Sequence, residues 1–147
     1  MASSSRLSVA QGDDTLVDTC VLLDALTDDA TWAEWSEDAM GAASDAGSLV
    51  VNPIIYAELA AGFEAIEDLD EALPSDVFRR EPLPYHAAFL ASRAYRAYRR
   101  NNGTKRSPLP DFYIGAHAAV HGYRLLTRDT ARYQTYFPTL RIIGPKR

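Results

Sequence analysis

Leu16-Val17-Asp18-Thr19-Cys20-Val21-Leu22-Leu23-Asp24-Ala25-Leu26 is the stretch on which the fold turns. Leu16 and Val17 form a β-favouring apolar pair, Asp18-Thr19 interrupts it, and from Cys20 the apolar residues take helical spacing. A short strand therefore runs through a turn into a helix. The pattern recurs outward along the chain. Ser48-Leu49-Val50-Val51 is a second short strand, followed by Asn52 as a cap and Pro53 at the first helical position. Arg124-Leu125-Leu126-Thr127 is another, ending at Arg128-Asp129, and Leu140-Arg141-Ile142-Ile143, between Pro138 and Gly144-Pro145, is the last. Val77-Phe78-Arg79-Arg80-Glu81 is a weaker candidate bounded by Pro82 and Pro84. Short apolar strands alternating with helices predict an α/β fold, a parallel sheet flanked by helices.

The helices between the strands are legible in outline. Residues 31–46 place Trp32, Trp35 and Met40 on an apolar side until Gly47 stops the helix, with Asp28 or Asp29 as its cap. The Pro53 helix carries Glu58 among Ile54, Ile55 and Leu59, close to its inward stripe. Gly62 and the acidic stretch 64–71 predict a break and a further helix. Tyr85 to Arg100 is the longest helical pattern, with Phe89, Leu90, Ala94, Tyr95 and Tyr98 inward and Arg93, Arg96, Arg99 and Arg100 outward. Pro110-Asp111 opens a small-residue helix that Gly122 closes.

With 147 residues, 47% hydrophobic and 24% charged, the chain has the balance of one domain with a real core, which argues against a two-domain enzyme and a disordered tail protein. Residues 1–15 read as a flexible leader, and 16–147 as a single domain beginning at Leu16. Fifteen Lys plus Arg against twenty Asp plus Glu give a formal net charge of −5, so any nucleic-acid contact needs a local patch or a metal. The lone Cys20 has no intramolecular disulfide partner, and neither a signal peptide nor an apolar run of membrane-spanning length is present. The expectation is a cytoplasmic protein with no membrane partner.

In a parallel sheet, ligands collect beyond the carboxyl ends of the strands, and here those positions are acidic. Asp18 and Asp129 each follow a strand, so parallel strands put both on one edge; each also suits a capping role. Asp111 opens a helix whose Ile114, Gly115 and Ala118 share its face, with stabilisation of the helix start as its structural alternative. Together with Glu58 these acids repel one another if they converge in a dry cleft, unless protons or a cation intervene. Hard carboxylate oxygens select Mg²⁺, with Mn²⁺ as substitute, and such a site suits metal-assisted phosphodiester hydrolysis.

Four segments resemble the acidic motifs of PIN-domain nucleases, most closely the VapC-type toxins of type II toxin–antitoxin modules. They are Leu16-Val17-Asp18-Thr19, Tyr56-Ala57-Glu58-Leu59-Ala60-Ala61-Gly62, Leu109-Pro110-Asp111-Phe112-Tyr113-Ile114-Gly115-Ala116 and Leu126-Thr127-Arg128-Asp129. The ending Tyr133-Gln134-Thr135-Tyr136-Phe137-Pro138 with Leu140-Arg141-Ile142-Ile143 is similar to one branch of the family. The resemblance implies a PIN-like three-layer α/β/α sandwich with a central, mainly parallel sheet, and Mg²⁺-dependent endoribonuclease activity that leaves 5′-phosphate and 3′-hydroxyl ends. It implies Asp18 and Asp111 as principal metal ligands, Glu58 and Asp129 completing the cluster directly or through water, and Thr19 and Thr127 in support. It also implies a homodimer and a cognate antitoxin partner. Cys20 departs from the Asn or Ser often found at its position, which touches a minor polar contact.

Arg93, Arg96, Arg100, Lys105, Arg106 and Arg128 are candidate RNA contacts, set against a solvated helix face or, for Arg128, an ion pair with a nearby acid. Gly-rich nucleotide-binding fingerprints are absent, and Cys20 stands where a haloacid-dehalogenase-type phosphatase needs a second Asp. His117 and His121 have the i, i+4 spacing of a zinc pair but point away from the Asp111 face, which fits packing or surface roles. The rival functional class is a non-catalytic RNA- or protein-binding module on the same fold; a structure-specific DNA nuclease ranks lower for want of long insertions.

Overall fold

The computed structural model describes residues 13–106 and 109–146. β1 (Thr15–Val17) leads into α1 (Thr19–Leu26) and α2 (Ala33–Ala46); β2 (Leu49–Val51) into α3 (Pro53–Ala60) and α4 (Ile66–Ala72). β3 (Phe78–Arg80) leads into α5 (Tyr85–Arg100) and α6 (Pro110–His121), and β4 (Arg124–Leu126) through α7 (Thr130–Tyr136) into β5 (Ile142–Ile143). The five strands form one sheet in the order β3-β2-β1-β4-β5, every neighbouring pair parallel. With helices between successive strands, this is the expected α/β/α sandwich, the PIN-like arrangement.

β1 and β2 are buried along their whole lengths, and Leu16, Val17, Val50, Leu125 and Leu126 have no exposed surface. This is why they read as continuous apolar runs instead of alternating ones. Strand order runs outward from β1 through β2 to β3, then resumes on the other side at β4. The switch point therefore lies between β1 and β4, where open α/β sheets form their crevice. At that point the Asp18 N–H donates to Leu126 O at 2.9 Å, continuing the ladder one residue beyond β1.

Several sequence expectations shift. The leader expectation for residues 1–12 lies outside the described residues, but Asp14 and Thr15 are buried and Thr15 is in β1, so the fold begins before Leu16. The Asp14 carboxylate accepts from Ser48 N at 2.8 Å, a tie between the starts of β1 and β2 that binary patterning does not register. Phe89 faces outward, 60% exposed, with the Arg93 guanidinium stacked 4.5 Å over its ring. The inward face of α5 is built instead from Ala87, Ala91 and Ala94, whose small side chains let it pack closely on α6.

Candidate metal centre

The four acids singled out from the sequence, with Thr19, Cys20 and Leu23, line one open cleft of about 260 Å³ beyond the carboxyl ends of β1 and β4. Asp18 is the deepest, 5% exposed. Its Oδ1 accepts from Thr19 N at 2.8 Å, and its Oδ2 accepts from Thr127 Oγ1 at 2.7 Å and Tyr133 OH at 3.2 Å. Burial, and after it the Asp111 charge, raises the Asp18 pKa to about 6 against the opposing hydrogen bonds. Asp111 sits in the first turn of α6. Its pKa is also raised, chiefly by burial, although the Arg132 guanidinium pulls it back.

Asp129 stands at the junction of β4 and α7, its side chain 52% exposed and making no capping hydrogen bond. Its N–H donates to Thr127 Oγ1 at 3.0 Å, so the Thr127 hydroxyl accepts from one acid's backbone and donates to the other acid's side chain. Glu58 corrects the sequence expectation. It is an exposed rim residue, because Ile55 and Leu59 take the inward stripe of α3. Thr19 Oγ1 donates to it at 2.6 Å, so Thr19 orients Glu58, the acid across the cleft. The four acids are thus graded from buried to exposed, in an open cleft and not the dry one that their apolar neighbours suggested.

Arg132 is the cation beside them, its Nη1 3.3 Å from Asp111 and its Nε 3.7 Å from Asp129. Arg128 is committed elsewhere. It pairs with Asp24 in a two-point contact of 2.7 and 3.0 Å and lies 4.9 Å over Trp32, while Ser36 Oγ donates to the same Asp24. This binds the β4–α7 turn to α1 and α2 and is the ion pair with a nearby acid that was the alternative for Arg128. Arg93, Arg96, Arg100, Lys105 and Arg106 are exposed. The 103–106 loop is held to α5 by its backbone: Thr104 N and Lys105 N donate to Tyr98 OH, and Lys105 O accepts from Tyr95 OH and Arg99. Tyr98 in turn packs edge-on against Phe112, the neighbour of Asp111.

Two other places compete for attention. A cleft of about 510 Å³ lined by Val51, Pro53, Tyr56, Ile66 and Pro82 is larger but mainly apolar, and its charges are answered: Arg80 by Asp70, Glu81 by Arg79 and Tyr123. The second is Glu81, His117 and His121, whose ligand-type atoms lie within 4.8 Å of one another. Asn52 decides its chemistry. Asn52 Oδ1 accepts from Ile55 N, capping α3, so Nδ2 donates to His117 Nδ1 at 3.0 Å. Neutral His117 then carries its proton on Nε2, facing Glu81 Oε1 at 3.6 Å, and Nε2 has no lone pair for a metal without forming an imidazolate. Burial lowers the His117 pKa to about 4, keeping the ring neutral. It is a packing residue, as its helical angle suggested.

Sequence reasoning placed Arg132 near the Asp129 edge as a candidate RNA contact, where it is instead paired with the acids, and it missed Tyr133 and the contact of Cys20 with the acids. The Cys20 thiol is half-buried, 3.7 Å from Asp18 Oδ2 and 3.8 Å from Thr127 Oγ1. The signal for Tyr133 was helical spacing, since it follows Asp129 by four residues at the start of one short helix.

The donor set fits a hard divalent cation: carboxylate oxygens on a cleft, with Asp18 held at a protonation cost that a cation would remove. The family model for the PIN domain matches residues 15–138. Among solved structures, the fold is shared with VapBC2 from Rickettsia felis bound to a DNA fragment from their promoter, at 13% identity, TM-score 0.69, covering 89% of this chain and 98% of that one. VapBC-1 from nontypeable Haemophilus influenzae aligns at 16% identity and TM-score 0.68 over 89% and 97%. DNA-bound VapBC from Salmonella typhimurium aligns at 17% and 0.66 over the same shares. No match is found among curated proteins.

Proposed function

Because the chain belongs to the PIN domain family, we propose that it is a Mg²⁺-dependent endoribonuclease, the toxin of a VapC-type toxin–antitoxin pair. The observation that carries this reading is the convergence of Asp18, Glu58, Asp111 and Asp129, from four separate segments, on one cleft at the topological switch point. Asp18 and Asp111 would hold the cation, with Glu58 and Asp129 completing its surroundings directly or through water. When bound, Mg²⁺ or Mn²⁺ supplies a lowered water pKa and charge neutralisation at a phosphodiester.

The chain's own residues set the rest. Thr19 fixes Glu58 and Thr127 fixes Asp18, so the acids keep their spacing before any substrate arrives. Arg93, Arg96, Arg100, Lys105 and Arg106 offer a basic flank for the RNA backbone that a chain of net charge −5 otherwise lacks. An antitoxin partner is supported by the fold's likeness to toxin–antitoxin complexes. We extend the proposal to a homodimer in the cytoplasm; no helix among the described residues is long and apolar enough to cross a membrane.

The test is regulated expression of the wild type beside Asp18→Asn in a bacterium, with sequencing of new 5′-phosphate RNA ends. Growth arrest with discrete ends in the wild type alone is the expected result. Cleavage by purified protein that persists in excess EDTA would overturn the reaction class. Folded protein that gives neither arrest nor ends would favour a non-catalytic binding module.

A further inference from the structure

We propose that Tyr133 is a positioning residue of the acidic centre, its buried hydroxyl holding Asp18 in one orientation and so setting how tightly the centre takes a divalent cation. The inference rests on the metal-centre reading above. Tyr133 lies on α7 with 1% of its surface exposed. Its hydroxyl donates to Asp18 Oδ2 at 3.2 Å. Its one phenolic proton is thus committed to the deepest of the four carboxylates.

The lone pairs of Asp18 show what this leaves free. Oδ2 receives the Thr127 and Tyr133 hydroxyls, with the weaker Cys20 thiol at 3.7 Å, which leaves it no acceptor position to spare. Oδ1 receives only the Thr19 amide, so Oδ1 is the atom with a lone pair to offer the cleft. Packing gives the hydroxyl its reach. A Cβ at Gly115 would sit 2.5 Å from Phe137 Cε2 and 3.0 Å from Tyr133 Cδ1, so only glycine lets α7 seat this deeply against α6, one turn from Asp111. A phenylalanine would fill the same space. What packing does not account for is the oxygen, and its partner is Asp18.

The experiment uses the full chain and Mn²⁺ alone as the probe, with the dissociation constant read by electron paramagnetic resonance. Tyr133→Phe should weaken Mn²⁺ binding about 10-fold, the scale at which groups that orient metal ligands act. The Mg²⁺ concentration for half-maximal cleavage should rise by a similar factor, with the rate at saturating Mg²⁺ within about threefold of wild type. Metal-free melting temperature should stay close to wild type. Mn²⁺ affinity equal to or tighter than wild type overturns the proposal. So does a Tyr133→Phe chain that no longer folds, because the hydroxyl would then serve the fold. Asp111→Asn, measured alongside, separates the two levels. If it abolishes Mn²⁺ binding while Tyr133→Phe changes nothing, only this inference falls; if it leaves binding intact, the metal-centre reading falls with it.

Discussion

Helix α6 carries two polar clusters, and they are opposites. Two turns along from Asp111, His117 faces a network in which the charged partners answer one another, while its own buried Nε2 stands 3.6 Å from Glu81 without a hydrogen bond. Glu81 accepts from Tyr123 OH at 2.7 Å and from Arg79 Nε at 3.1 Å, Arg79 reaches Asp14 at 2.9 Å, and Asn52 joins His117 to the cap of α3. At the Asp111 end, four carboxylates meet one half-exposed guanidinium, and the deepest of them is kept ionised against its burial. Both clusters involve buried ionisable groups, yet only one is left with uncompensated charge of a single sign. Compensated burial holds β2, β3 and α6 together; uncompensated burial is stored for something that binds.

The largest effects should separate the two ends by kind. Asp18→Asn and Asp111→Asn are each expected to lower RNA cleavage by about 10³-fold, on the scale of losing an electrostatic element of an active site. Metal-free urea midpoints of both variants should be equal to or above wild type, because each removes an unfavourable buried charge. At the other end, His117→Ala should cost about 2–4 kcal/mol by opening a cavity and stranding the Asn52 amide, with the rate per folded molecule unchanged. A destabilised Asp18→Asn, or a stable but inactive His117→Ala, would erase the distinction between the ends.

Acid titration sharpens the comparison, because the clusters pull stability in opposite directions. His117 has a folded pKa of about 4 against 6.5, so its contribution is present above pH 6.5 and is lost as pH falls towards 4. Asp18, at about 6 against 3.8, contributes below pH 3.8 and loses that contribution as pH rises through 6. Each swing is worth about 3 kcal/mol at most, so they largely offset between pH 4 and 6. Urea denaturation of the metal-free chain should therefore show a shallow profile there. Asp18→Asn should lose stability steadily from pH 6.5 to 4, whereas His117→Gln should gain stability on acidification from pH 6. Parallel profiles for the two variants would show that neither group titrates as assigned.

Only one end of this comparison was legible in the sequence. The acids follow strands or open a helix, positions that hydrophobic periodicity locates without tertiary information, so Asp18, Asp111 and Asp129 emerge from the pattern of β1, β4 and α6. The parallel order follows from the same pattern. The His117 network does not, because Glu81, Asn52, Tyr123, Arg79 and Asp14 come from different segments and carry no common spacing. Glu58 was placed on the wrong side of α3 because Ile54, Ile55 and Leu59 form a broad apolar arc, and its edge is set only when Leu59 turns inward. Phe89 was misread for the complementary reason: small alanines had already filled the α5–α6 contact.

The smallest expected effect bears on what balances the acidic end. Arg132 is 45% exposed and holds Asp111 and Asp129 at 3.3 and 3.7 Å, longer than a well-formed ion pair. An exposed pair of this kind contributes about 0–1 kcal/mol, so Arg132→Ala should change the metal-free melting point little. Its effect on cation binding should nevertheless have a definite sign. The guanidinium neutralises the same carboxylates that a divalent ion would, and removing it should tighten Mn²⁺ binding about two- to fivefold, fading in high salt as surface charges are screened. That is the opposite direction to Tyr133→Phe, although the two residues are adjacent on one turn of α7. A hydroxyl that organises the acids and a cation that competes for them are thus distinguished by the sign of a single binding constant. Should Arg132→Ala weaken Mn²⁺ binding instead, Arg132 belongs with the groups that arrange the acids, and the acidic end would be less uncompensated than its charge count implies.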